Sequence, residues 1–232
     1  MNWKTITDQN RRNIKGITLI ELLVAMVICT MVVAGIYRVF IAQSKAYTVQ
    51  DQVLEVQQSV RSAMDILLRD LRMAGYDDYT VNSTVTITNP IIYPVSNSSI
   101  TLNYEYYDSA TAQYQRHTVH YWRDGASSTL IRQLTVDNVA RPQEILLENV
   151  DAFELTYGLD ADGNGGIDDR NGNNVIDEGD WVSSGAVGST KVVAVRIDLT
   201  ANPNQVDQDV QKMVSPRRLI SSVTLRNLCL DR

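Results

Sequence analysis

Residues 15 to 25 read Lys15-Gly16-Ile17-Thr18-Leu19-Ile20-Glu21-Leu22-Leu23-Val24-Ala25, and they decide the architecture of this 232-residue chain. Glu21 lies inside an apolar run from Ile17 to Tyr37 whose only other polar members are Thr18 and Thr30. A carboxylate within a membrane helix costs about 2.5–3.5 kcal/mol on insertion scales, so one that is kept is expected to have a partner. A chain cut after Gly16 supplies that partner: the new α-amino group of Ile17, on the same chain or on a neighbour.

Before this run stand Lys4, Arg11, Arg12 and Lys15 against a single acid, Asp8. The 21 residues from Ile17 to Tyr37, as a helix, span about 31 Å, roughly one hydrocarbon core. A basic flank stays in the cytoplasm, so the C-terminal bulk is expected outside it, in the periplasm. No small-residue cleavage site follows the apolar run, as a secretory signal requires. The expected cut therefore precedes the run and leaves the anchor attached to the inner membrane.

This stretch resembles the class III signal of type IV prepilins and pseudopilins. In that family a basic residue and Gly precede Phe-Thr-Leu-Ile-Glu-Leu-Leu-Val-Ala. Here Ile17 stands in place of Phe, and the rest of the match is contiguous from Lys15 to Ala25. The resemblance implies cleavage between Gly16 and Ile17 by a prepilin peptidase, N-methylation of Ile17, and a role for Glu21 in assembly. It also implies other pilins as partners through the N-terminal helix.

Beyond the anchor, Val49, Val53, Val56, Val60, Met64, Leu67 and Leu71 recur at spacings of three and four, which marks one face of an amphipathic helix. Gly75 is its natural terminator. The helix is predicted over about 17–74, or about 87 Å. Segments rich in β-branched and aromatic residues follow at 84–88, 100–107, 116–122, 129–135, 152–157, 192–200 and 220–225. Asn89-Pro90, Tyr93-Pro94, Asp124-Gly125 and Asn202-Pro203 separate them. The expected fold is α+β: one long helix on an antiparallel sheet, as in pilins. Its expected parts are a cleaved leader (1–16), a transmembrane half-helix (17–37), an amphipathic half-helix (38–75) and an exported β-rich domain (76–232). Cys29 falls in the span and Cys229 near the C-terminus, so no disulfide framework is expected.

Two short segments narrow the resemblance. Asp70-Leu71-Arg72-Met73-Ala74-Gly75-Tyr76 closes the helix, and Ser222-Val223-Thr224-Leu225-Arg226-Asn227 closes the chain, where a strand ending in Arg-Asn is expected. Both are similar to segments of PilW-type minor pilins. The GspJ-type pseudopilins of type II secretion share the architecture.

Residues 151–180 hold nine acids against Arg170 alone, so the chain's net charge of −6 is a local property. That balance argues against nucleic acid as a partner. Within this stretch Asp160, Asp162, Asn164 and Asp168 take positions 1, 3, 5 and 9 of a loop with Gly165 at position 6. The carbonyl of Gly166 falls at position 7. The spacing resembles an EF-hand calcium loop. A second copy begins at Asp169: Asn171, Asn173, Val175, Asp177 and Asp180 take positions 3, 5, 7, 9 and 12. The second copy has Asn174 where the turn glycine belongs, and the first has Asn171 where a bidentate Glu would sit. Helices do not flank either copy, so a calcium loop inserted between strands (160–180) is expected, with affinity of roughly 10⁻⁴–10⁻³ M. A solvated, metal-free acidic loop and a different cation remain open on these residues.

His117 and His120, three apart in a strand, are expected on opposite faces. Tyr104, Tyr106 and Tyr107 offer either core packing or a contact surface. No catalytic constellation is visible, and no enzymatic activity is expected. The sequence thus points to a PilW-like minor pilin that primes or caps a type IV pilus. A GspJ-like pseudopilin and a calcium-dependent tip adhesin are the alternatives.

Overall fold

The computed structural model describes residues 16–78, 83, 85–92, 95–203 and 215–229. Residues 1–15 of the expected leader, Thr84 and the Tyr93-Pro94 pair lie outside them. The chain divides into two units, Met1–Thr48 and Val49–Arg232.

Helix α1 covers Leu19–Met73. In the first unit every described side chain is exposed, including Leu19, Met31 and Phe40. A helix that is apolar all round belongs in lipid or among other helices, not in water. It is long and apolar enough to cross a membrane. The hydroxyl of Thr30 donates to the Val27 carbonyl at 2.8 Å, so this polar group needs no partner from outside the helix.

In the second unit the helical stripe becomes core. Val56, Val60, Met64, Leu67 and Leu71 are buried, while Val49 and Val53 are only half-buried. Gly75 adopts a left-handed φ of +75° and stops the helix, and the Tyr76 N–H returns to the Met73 carbonyl at 2.8 Å.

The strands form two sheets, not one. The first contains β1 (Ser99–Asp108), β2 (Gln113–Asp124), β3 (Thr129–Val136), β4 (Val139–Ala140) and β5 (Glu144–Leu147), in the order β1-β2-β3-β4 with β5 also paired to β3. The second contains β6 (Val150–Asp160), β7 (Lys191–Ala201) and β8 (Arg217–Thr224), in that order. All pairs are antiparallel. Asn149, at φ +54°, turns the chain from β5 into the second sheet.

Three expectations change. Residues 85–88 form no strand, because their backbone groups are taken by side chains: Asp77 accepts from the Ile87 N–H at 2.9 Å, and Arg116 donates to the Thr86 carbonyl at 3.1 Å. The short strands β4 and β5 have too little periodicity to be read from sequence. The last strand ends at Thr224, and Arg226-Asn227 open a helical turn, α2 (Arg226–Cys229). The Asn227 amide donates to the carbonyls of Arg72 and Ala74 at 3.3 and 3.2 Å. It thereby satisfies acceptors that the end of α1 leaves open. Asn227→Ala is expected to cost about 1 kcal/mol, lowering Tm by about 2–4 °C in a thermal melt.

The histidines do take opposite faces. His117 stacks on Tyr106 with ring centroids 4.7 Å apart, and His120 stacks on Trp122 at 4.6 Å. Burial lowers the pKa of each imidazole. Of the three tyrosines only Tyr104 is core; Tyr106 and Tyr107 are about half exposed.

Candidate functional site

At the start of α1, Glu21 already has a partner. Its carboxylate accepts from the Thr18 N–H and the Thr18 hydroxyl, each at 3.2 Å, and the Thr18 hydroxyl accepts from the Glu21 N–H at 3.3 Å. This reciprocal pairing is a capping box. Its signature in the sequence is Thr18-x-x-Glu21, the spacing of a capping box. Thr18 is therefore a residue of this site that the sequence reading left out. Gly16 and Ile17 precede it, both exposed.

In the second unit the chain leaves β6 at Asp160 and enters β7 at Lys191. Between them the two acidic repeats adopt the same hydrogen-bond pattern nine residues apart. Asp160 accepts from the N–H groups of Gly163 and Gly165 at 2.7 and 3.0 Å. Asp169 accepts from those of Gly172 at 2.7 Å and of Asn174. At position 3, Asp162 accepts from Asn164 N–H and Asn171 from Asn173 N–H, both at 3.0 Å. At position 5, Asn164 accepts from Gly166 N–H at 2.7 Å and Asn173 from Val175 N–H at 2.8 Å.

The backbone explains why Asn174 can stand for the missing glycine. Gly165 has φ +80° and Asn174 has φ +63°. Asparagine is one of the few residues with a side chain that enters this left-handed region at modest cost. Gly163 and Gly172, at position 4 of each repeat, are also left-handed at +79° and +73°.

The repeats differ in what their acids do. Carboxylate oxygens of Asp160, Asp162 and Asp168 all lie within 4.8 Å of one another. Two calcium ligands opposite each other across an ion are about that far apart, since each bond is 2.3–2.6 Å. An all-oxygen donor set fits a hard cation, not a soft one. Asp160 is buried, Asp168 partly buried and Asp162 exposed. Burial pushes the Asp160 carboxyl up, but the N–H groups of Gly165 and Gly163 outweigh it and hold its pKa below the ordinary value. It therefore stays charged, and able to ligate, across neutral and mildly acidic pH.

In the second repeat the amides of Asn171 and Asn173 donate to the two oxygens of Asp177 at 3.0 and 2.6 Å. Asp180 is fully buried and accepts from the N–H groups of Arg170 and Asp177, both at 2.8 Å. Those backbone donors, Asp177 first, lower its pKa. Asp180 also completes a capping box with Asp177 around the 3₁₀ turn Glu178–Asp180. No three carboxylates converge here as they do in the first repeat, among the described residues. A depression lined by Asp162, Asn164, Asp168, Asp169 and Asn174 joins the two repeats.

The loop is anchored to the sheet through Ile167, at position 8. A Cβ added to Gly158 would lie 2.9 Å from Ile167 Cγ1 and 3.1 Å from the Ala194 Cβ. Gly158 thus makes room for Ile167 against the β6–β7 pair, and the Asp168 N–H donates to the Leu159 carbonyl at 2.8 Å.

A family model for the prokaryotic N-terminal methylation motif matches residues 11–37. The N-terminus is a type IV pilin-like signal. The match is confined to this signal, and the helix that begins within it is long and apolar enough to cross a membrane. No curated protein gives a significant match to the chain.

Proposed function

We propose that this chain is a PilW-like minor pilin, a low-copy structural subunit that primes or caps a type IV pilus, with an exported domain ordered by calcium. The observation that carries this reading is the methylation motif over residues 11–37, with Glu21 set in an exposed apolar helix. The chain waits in the inner membrane with its β-rich unit in the periplasm. A prepilin peptidase cuts between Gly16 and Ile17, and the freed Ile17 amine is methylated. In the membrane the Glu21 carboxylate is held by Thr18, which satisfies hydrogen bonds but leaves the charge uncompensated. An Ile17 amine from a neighbouring subunit supplies that charge, and in a low-dielectric setting the gain is large. The exchange fixes the register between neighbouring helices.

Glu21→Ala is expected to leave cleavage intact and to reduce recovery of the protein in sheared pili at least about tenfold, equivalent to about 1.4 kcal/mol of lost pairing. Immunoblots of cell and sheared fractions measure both. Normal recovery in the filaments would sink the mechanism. Absence of the wild-type protein from purified pili, with a secretion defect on its deletion, would replace the pilus reading by the pseudopilin one.

For the acidic loop, the proposed calcium ligands are the side chains of Asp160, Asp162, Asn164 and Asp168 with the carbonyl of Gly166. The second repeat offers Asp169, Asn171, Asn173, Asp177 and Asp180 with the carbonyl of Val175. Support is stronger for the first set, whose three carboxylates converge. A bound cation there would neutralise repelling acids and tie the turn to β6.

A further inference from the structure

Two Asn-Gly bonds lie in the acidic loop, Asn164-Gly165 and Asn171-Gly172, and both asparagines are exposed to water. Glycine carries no Cβ, so it leaves the amide carbon of the preceding asparagine unobstructed. Around each bond the loop sets three hydrogen bonds on the atoms that a ring closure uses. The nucleophile is the glycine nitrogen. Gly165 N–H donates to Asp160 at 3.0 Å, and Gly172 N–H donates to Asp169 at 2.7 Å. A carboxylate within that reach can take the proton as the nitrogen attacks. The electrophile is the asparagine amide carbon. Its oxygen accepts from Gly166 N–H at 2.7 Å in the first repeat and from Asn173 N–H at 3.0 Å in the second. Each of these donors sits where negative charge develops during the attack. The leaving nitrogen is held as well: Asn164 Nδ2 donates to Asp162 at 2.8 Å, and Asn171 Nδ2 to Asp177 at 3.0 Å.

We propose that Asn164 and Asn171 are sites of self-catalysed deamidation. In the first repeat a bond forms between Gly165 N and Asn164 Cγ, and the Cγ–Nδ2 bond breaks. Nδ2 leaves as ammonia, carrying the proton that Gly165 N gave up through Asp160. Water then opens the cyclic imide and leaves an aspartyl or isoaspartyl residue. Asn171 and Gly172 react in the same way, with Asp169 relaying the proton. The product has no amide donor for Asp162 or Asp177 and sets a like charge against each, so the loop loosens as the protein ages. This inference requires neither a bound cation nor the pilus reading.

The test follows the full chain in detergent micelles, at neutral pH and in chelator, by peptide-mapping mass spectrometry and by ammonia release. A fold that merely restrains the loop would slow the reaction relative to the chain unfolded in urea. Asn164 and Asn171 are instead expected to react at least about tenfold faster in the folded chain, since a positioned base contributes that much or more. Asn138, exposed but followed by Val139, should stay intact. The two repeats serve as controls for each other. An amide at position 160 or 169 cannot take up the proton. Asp160→Asn should therefore slow Asn164 at least about tenfold and spare Asn171, and Asp169→Asn should do the reverse. A thermal melt confirms that each variant folds. Reaction at either site no faster in the folded chain than in urea overturns the proposal. So does a folded variant that leaves the rate in its own repeat unchanged or slows both repeats equally.

Discussion

Replacing Asp70 by alanine is expected to destabilise the β-rich unit by about 3–5 kcal/mol, lowering Tm by about 10 °C. Asp70 is 3% exposed in the last turns of α1. One of its oxygens accepts from the Tyr121 hydroxyl at 2.6 Å and from Arg132 Nε at 2.9 Å, and pairs with a terminal nitrogen of the same guanidinium at 2.9 Å. Alanine would leave the Arg132 charge and the fully buried Tyr121 hydroxyl without this acceptor. Glu144, also 3.0 Å from Arg132, is more than half exposed and offers only a screened substitute. The cost comes from the abandoned partners and not from the net worth of the pair. A double variant, Asp70→Leu with Arg132→Met, should therefore lose much less than the sum of its single changes, by differential scanning calorimetry. Additive losses would show that the two residues act separately.

The same network bears on alkaline stability. Burial, then the Asp70 charge, pushes the Tyr104 hydroxyl up to about 12, and burial and Asp70 likewise raise that of Tyr121. Both groups are held neutral in the folded state beyond the pH at which they would ionise unfolded. The Tyr104 contribution is complete below about pH 10 and is lost as pH rises through about 12, while that of Tyr121 persists to higher pH. Removing Asp70 should shrink that alkaline window.

The second large effect concerns calcium. At a hundredfold excess over Kd, a single cation that binds only the folded chain adds about 2.7 kcal/mol, a rise in Tm of about 5–10 °C. With the affinity expected of such loops, about 10 mM calcium reaches that excess at the tight end of the range. Asp160→Asn keeps an acceptor oxygen for only one of the Gly163 and Gly165 N–H groups, which bond to different carboxylate oxygens, and removes one of three converging charges. It should lower the Tm in chelator by about 2–4 °C, the cost of that one hydrogen bond, and abolish most of the calcium response. An unmutated protein with the same Tm in chelator and in calcium would dismiss the cation reading. A response lost on Asp169→Asn but kept on Asp160→Asn would move the cation to the second repeat.

What was legible before folding depended on local pattern. The Ile17–Tyr37 run, the valine and leucine stripe from Val56 to Leu71, and the stop at Gly75 are statements about neighbours three or four residues apart, and the helix follows them. The two-residue alternation of the longer strands carried over in the same way. The Asx-rich repeats were also legible, because their turns close within six residues. The Thr18–Glu21 cap is equally local, although the apolar residues around it give the charge no other visible partner.

By itself, then, the sequence determined the apolar helix with its methylation motif, the amphipathic helix, most strands and the spacing of the acidic loop. Each is set by backbone geometry and side-chain periodicity over a few residues. Only the tertiary structure decided that the strands split into two sheets, that Asp70 meets Tyr121 and Arg132 across 51 and 62 residues, and that Asn227 closes the end of α1. It also decided which acids of the loop converge and which brace the backbone instead. These pairings are non-local: their partners come together only after the strands have paired and the helix has docked, and no short window of sequence carries that choice.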